Sequence, residues 1–281
     1  MLTTLEHRTG TCDSGDVTIH YRHFGSPGAT PMLIVHGLSY FSYDWIGIAG
    51  ELCGDREIVA MDMRGFGDST WSPTQKYTLD DFAGDMANLL DHLDWPQAIV
   101  MGHSMGGRNS TYFTAGHPDR VEKLVLVDSS PVNAPAGGKR VMNIVAGVPD
   151  VFPDIDAALD YFGQDPHSPQ DASVRTRMEN YLKPVDGGFI IRRDTAFREK
   201  FRKQRDTGER EPLGADMWER LGAIQCPILV VRGTQSDMFA DETVPKVKEA
   251  NANVTLVELD VAHNVGGEDP EGLVHEVKKF L

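Results

Sequence analysis

Short apolar runs recur along the chain, spaced so that helices can fit between them. They lie at Val17–Tyr21, Met32–Val35, Ile58–Met61, Ala98–Met101, Lys123–Val127, Ile228–Val231 and Val254–Leu259. Runs this short, with little polar alternation, suit strands covered on both faces, as in a parallel sheet. Between them, Leu79, Phe82, Met86, Leu89, Leu90 and Leu93 follow helical spacing. Asp80 and Asp81 stand at the start of that stretch, where the helix dipole favours negative charge. Leu273, Val274, Val277, Phe280 and Leu281 predict a C-terminal helix opened by Pro270. Alternating strands and helices predict an α/β class with a mostly parallel, doubly wound sheet. The turn signal Ser14-Gly15-Asp16 predicts an antiparallel hairpin at its edge.

Between Val127 and Ile228 the strand signal disappears. Prolines at 131, 135, 149, 153, 166, 169, 184 and 212 break this stretch. A gap of that kind inside a regular α/β pattern predicts a mainly helical cap inserted in the core. The expected division is a core of residues 1–130 and 214–281, with a cap over residues 131–213. From Arg175 to Arg210 the cap carries eleven basic residues against six acidic ones. The whole chain has a net charge of −15.

That acidic balance argues against nucleic acid as a partner. No run approaches the roughly 18 apolar residues of a membrane span, and the N-terminus has no signal-like segment. The three cysteines, Cys12, Cys53 and Cys226, are far apart and not in metal spacing. Reduced thiols in a cytoplasmic protein are expected. No metal or organic cofactor is expected either. The expected partner is a small-molecule substrate, without nucleic acid or membrane, and a homodimer is left open.

The chemistry concentrates at Gly102-His103-Ser104-Met105-Gly106, a G-x-S-x-G directly after a buried strand. A serine on a tight strand-to-helix turn exposes its hydroxyl above the sheet, and small flanking residues let backbones pass closely. The following helix directs its N-terminus at that hydroxyl, so the Met105 N–H can stabilise an oxyanion.

With this motif the chain resembles the α/β-hydrolase-fold superfamily over essentially its whole length. His36-Gly37-Leu38 is similar to that family's oxyanion loop, which implies Leu38 N–H as the second donor and His36 as a brace. Asp62-Met63-Arg64-Gly65-Phe66-Gly67-Asp68-Ser69 resembles its D-x-R-G-x-G-x-S segment, with Arg64 tying loops together. The family's order of nucleophile, acid and histidine points to His263, after the last strand, as the base. His103, beside the nucleophile, is expected to act sterically.

The acid has two candidates. After Ile228–Val231 the common family position falls on Ser236, with Asp237 one residue late. Asp128, at the end of the preceding strand, is favoured, and Asp237 is the alternative. Gly107-Arg108-Asn109-Ser110, Asp128 and Pro184-Val185-Asp186-Gly187-Gly188 further resemble amide- and enamide-cleaving members such as 2-(acetamidomethylene)succinate hydrolase. The resemblance implies a small carboxylated substrate. The basic cap then offers Arg175, Arg177, Arg192 and Arg193 as contacts, because guanidinium pairs bidentately with carboxylate.

The expected activity is hydrolysis of an ester or amide through an acyl-enzyme. A cofactor-free dioxygenase using the His/Asp pair, a C–C bond hydrolase and a non-enzymatic ligand receptor stay open on the same fold. Epoxide and halide chemistry need an aspartate where Ser104 stands.

Overall fold

The apolar runs become the strands of one eight-stranded sheet in the computed structural model, which describes residues 6–165 and 172–281. Pro166, His167, Pro169 and residues 1–5 lie outside the described residues. Strands β1 (Arg8–Ser14) and β2 (Val17–Phe24) form the antiparallel edge hairpin, turning at Gly15 and Asp16. Next come β3 (Ala29–Val35), α1 (Ile46–Leu52), β4 (Arg56–Met61), α2 (Leu79–His92), β5 (Ala98–His103), α3 (Met105–Gly116) and β6 (Val121–Val127). The intervening segment holds α4 (Pro135–Gly147), α5 (Ile155–Tyr161), α6 (Ala172–Tyr181), β7 (Leu182–Val185), β8 (Gly188–Ile191) and α7 (Thr195–Thr207). The chain then runs through α8 (Met217–Ala223), β9 (Ile228–Gly233), α9 (Val244–Ala250), β10 (Val254–Leu259), α10 (Val265–Glu268) and α11 (Pro270–Phe280).

The strand order is β1-β2-β4-β3-β5-β6-β9-β10, parallel from β4 onward. Successive side chains of a strand point to opposite faces, so each buried run feeds two cores. Leu33, Val35, Val100, Leu124 and Val230 join residues of α2 and α3 on one side. Met32, Ile34, Met101, Val125 and Val231 join residues of α1 and α11 on the other. Thr78 caps α2 through a reciprocal pair of hydrogen bonds with Asp81.

Between β6 and β9 the helices have a third apolar cluster, including Val148, Phe152, Leu159, Met178, Tyr181 and Ile191. The segment is mainly helical, with one short hairpin that the apolar pattern does not signal: β7 and β8 pair antiparallel, with Val185 opposite Gly188. Asp186-Gly187, a strong turn signal, joins them, and Gly187 takes φ +85°. Two four-residue strands, one containing Pro184, are too short for periodicity to register. Among the described residues no helix is long and apolar enough to cross a membrane.

Candidate active site

Ser104 stands at the junction of β5 and α3 with φ +52° and ψ −116°. A non-glycine residue held there stores about 1–3 kcal/mol of strain, which the surrounding packing must hold. A Cβ on Gly102 would lie 2.6 Å from Gly106 O, and one on Gly106 would lie 2.3 Å from Val35 O. Glycine at both positions therefore lets α3 press against β3 and β5. The Ser104 N–H donates to Val127 O at 3.1 Å, and Ser129 Oγ donates to Ser104 O at 2.9 Å.

Three side chains from distant positions meet at this turn. His263, on the loop after β10, places Nε2 2.9 Å from Ser104 Oγ and Nδ1 2.6 Å from Asp128 Oδ2. The Asp128 side chain is fully buried, and that of His263 is 13% exposed. Asp128 caps the end of β6 at φ +42°, and its N–H donates to Val231 O. Its Oδ1 accepts the Gly233 N–H at 2.9 Å. Its Oδ2 accepts Ser236 Oγ–H at 2.5 Å. Three donors thus meet this one buried carboxyl group. The alternative acid, Asp237, makes no hydrogen bond to His263 among the described residues. Arg140 donates to both its oxygens, at 2.6 and 2.7 Å, and holds its carboxyl below the usual range.

Leu38 leaves β3 and Met105 opens α3. Neither backbone N–H has a protein acceptor among the described residues. His36 is fully buried. Its Nε2 accepts the Met63 N–H at 3.0 Å, so Nδ1–H donates to Gly37 O at 2.7 Å. This histidine clamps the loop that carries Leu38, and burial keeps its pKa low. Arg64 ties loops as expected, with Nε and Nη2 on the Asp85 carboxylate and Nη1 on Lys76 O.

His103 does more than fill space. Its Nε2–H donates to His263 O at 3.0 Å, fixing the loop that carries the candidate base. Tyr40 packs edge-on against its ring. Burial pushes its pKa down to about 3, so the ring is neutral. Neither this bond nor the Ser236 donor was read from sequence. The clue to the second was the serine standing where the common family pattern has an aspartate.

Three of the four candidate cap arginines have acidic partners. Arg175 pairs with Asp156 at 2.5 Å, Arg177 with Asp44 at 2.5 Å, and Arg192 with Asp68. Two of these pairs fasten the inserted segment to core loops, which consumes part of its positive charge. Arg193 has no acidic partner among the described residues, and its Nη1 reaches only Leu38 O and Ser39 Oγ, both at 3.4 Å.

His20, Asp62 and Asp68 bring three ligand-type atoms together. Bracing accounts for them. Asp62 accepts N–H bonds from Ser42 and Asp68 and contacts His20 Nδ1, while Asp68 pairs with Arg192.

Residues 30–270 match the model of the alpha/beta hydrolase fold family. The chain is 32% identical over 266 residues to a 3-hydroxybutyrate-oligomer hydrolase of Cupriavidus necator, covering 89% of this chain and 88% of the relative. It is 30% identical over 272 residues to a 2-(acetamidomethylene)succinate hydrolase of Mesorhizobium japonicum, covering 96% and 93%. The crystal structure of an E-2-(acetamidomethylene)succinate hydrolase superposes with a TM-score of 0.83 at 27% identity, covering 98% of this chain and 99% of that one.

Proposed function

The chain belongs to the alpha/beta hydrolase fold family, and on that premise we propose that it cleaves an ester or amide bond of a small carboxylated molecule through an acyl-enzyme on Ser104. The observation that carries the reading is the continuous chain Ser104 Oγ–His263 Nε2, His263 Nδ1–Asp128 Oδ2, at 2.9 and 2.6 Å. A serine hydroxyl is a weak nucleophile unless a base takes its proton. As Ser104 Oγ attacks the carbonyl carbon, His263 Nε2 accepts that proton. Asp128 keeps the proton on Nδ1 and offsets the imidazolium charge. The carbonyl oxygen, now negative, accepts from the Leu38 and Met105 N–H groups. His263 then protonates the leaving alcohol or amine, and water repeats the sequence to release the acid.

The carboxylated substrate class rests on the basic segment over the site and on two relatives whose names each contain a carboxylic acid. The free cysteines are compatible with the cytoplasmic location we propose. The test is a serine-directed phosphonate probe with peptide mapping, run beside a panel of activated esters and small carboxylated amides. Labelling should map to Ser104, and Ser104→Ala should lose turnover by several orders of magnitude. A Ser104→Ala enzyme that keeps substantial turnover would sink the acyl-enzyme and favour base-initiated chemistry.

A further inference from the structure

Of the four cap arginines singled out as substrate contacts, the most buried has the weakest partners. Arg175, Arg177 and Arg192 have side chains 37%, 32% and 26% exposed, and each pairs with a carboxylate. Arg193 is 6% exposed and pairs with none among the described residues. Its two acceptors, at 3.4 Å, lie at the outer limit of hydrogen bonding. The adjacent Asp194 is already engaged: one oxygen accepts the Tyr77 hydroxyl and the other the Ala196 N–H. A buried cation without a counter-charge is expensive.

A second unmet group faces the same place. The Tyr181 hydroxyl is buried, and its only hydrogen-bonding neighbour among the described residues is Ser39, outside ordinary hydrogen-bond geometry. It lies within electrostatic reach of Arg193 and beside Ser39. A guanidinium and a phenolic O–H, both underused, therefore flank the loop Leu38–Ser39. Both are donors, and an anionic acceptor would satisfy both at once.

We infer that Arg193 and Tyr181 form a carboxylate-binding subsite beside the oxyanion loop and select an acyl substrate bearing a second, ionised carboxyl group. This rests on the hydrolase reading and names the residues that set its specificity. Leu38 supplies the proposed oxyanion donor through its N–H and meets Arg193 through its carbonyl. Covalent geometry then puts the guanidinium within about 7 Å of that N–H. A carboxylate a few bonds from the scissile carbon spans the gap. The guanidinium also lies beside the Leu38 carbonyl, so the carboxylate subsite and the oxyanion donor share one loop.

The test compares two 4-nitrophenyl esters of equal chain length, the hydrogen glutarate and the valerate. The readout is the ratio of their kcat/KM values. Wild type should prefer the glutarate. Arg193→Gln should lower the ratio about 30-fold, as expected for one charge-assisted pair. Tyr181→Phe should lower it several-fold, and Arg193→Lys should fall between wild type and Arg193→Gln because it keeps charge and loses the fork. A ratio that stays within about threefold of wild type in both Arg193→Gln and Tyr181→Phe would overturn the subsite. Calorimetric titration of Ser104→Ala with glutarate separates this from the hydrolase reading. Arg193-dependent binding there supports the subsite even if Ser104 proves not to be the nucleophile. Absence of binding overturns the subsite and leaves the nucleophile assignment to the probe-labelling experiment.

Discussion

Ser236 Oγ donates to Asp128 Oδ2 at 2.5 Å, across 108 residues of sequence. The two acid positions available to this fold thus meet at one carboxylate. The slot after β9 holds a hydroxyl that serves the aspartate after β6. Ser236 Oγ in turn accepts the Met238 and Phe239 N–H groups, so the β9 loop is wound around the same bond. That winding turns Asp237 outward to Arg140.

Asp128→Asn should keep the fold and lower kcat about 10³- to 10⁴-fold, because the amide favours the wrong His263 tautomer and cannot offset imidazolium. Asp237→Asn should cost less than about tenfold, since its carboxylate meets Arg140 and acts only through the loop. Steady-state kinetics of the pair decide it. A mild Asp128→Asn beside a crippled Asp237→Asn would reverse the acid assignment and leave Ser104 and His263 in place.

Ser236→Ala removes one of three donors to Asp128 and the acceptor of two loop N–H groups. The expected stability loss is about 1–3 kcal/mol, the cost of leaving buried groups unpaired. If Ser236 positions the acid, kcat should also fall with KM nearly unchanged, because Asp128 is then held less firmly against His263. A stability loss with unchanged kcat would leave Ser236 a loop brace only.

The parts of the candidate site legible in sequence are those built from local pattern. Ser104 follows a strand and opens a helix, and Asp128 and His263 follow strands, so position relative to the sheet singles out each as a candidate. Asp237 kept a claim because a one-residue shift in a loop cannot be judged from spacing. The partners of the cap arginines were not legible for a related reason. Arg177 meets Asp44 across 133 residues, and Arg193 meets Leu38 across 155. No local periodicity encodes which surface a cap loop lands on. The β7–β8 hairpin was missed although its Asp-Gly turn was in view, because its strands are four residues each.

Gly106→Ala should destabilise the protein by about 3 kcal/mol, at the upper end of what overpacking costs. The added Cβ would sit 2.3 Å from Val35 O and 2.4 Å from His36 O, both backbone atoms that cannot swing aside. Relief requires α3 to move off β3, which carries Met105 away from Leu38. Activity should therefore fall along with the urea midpoint. Gly84→Ala, where nothing lies within 4 Å of the new Cβ, is the matched control and should not lower stability. Equal stability of the two variants would show that the elbow tolerates a looser fit than these distances imply.

Burial holds the His103 pKa down at about 3, against an ordinary value of 6.5. Its ring lies under Tyr40, near Trp45 and against His263, with Nε2–H committed to His263 O. Between pH 6.5 and about 3 the unfolded chain binds a proton at this residue and the folded chain does not. Stability must then rise with pH across that window. The contribution is fully present above 6.5 and is lost progressively on acidification, at up to about 1.4 kcal/mol per pH unit. His36, buried and shifted in the same direction, adds to the slope. His103→Asn removes one titrating group and should flatten the dependence of unfolding free energy on pH between 4 and 6, measured by urea titration at each pH. The comparison is of slopes, so the hydrogen bond lost in the variant, a nearly pH-independent term, drops out. Parallel slopes in wild type and variant would mean that the folded protein protonates His103 as readily as the unfolded chain does, and that the ring is less sealed beneath Tyr40 than its 2% exposure indicates.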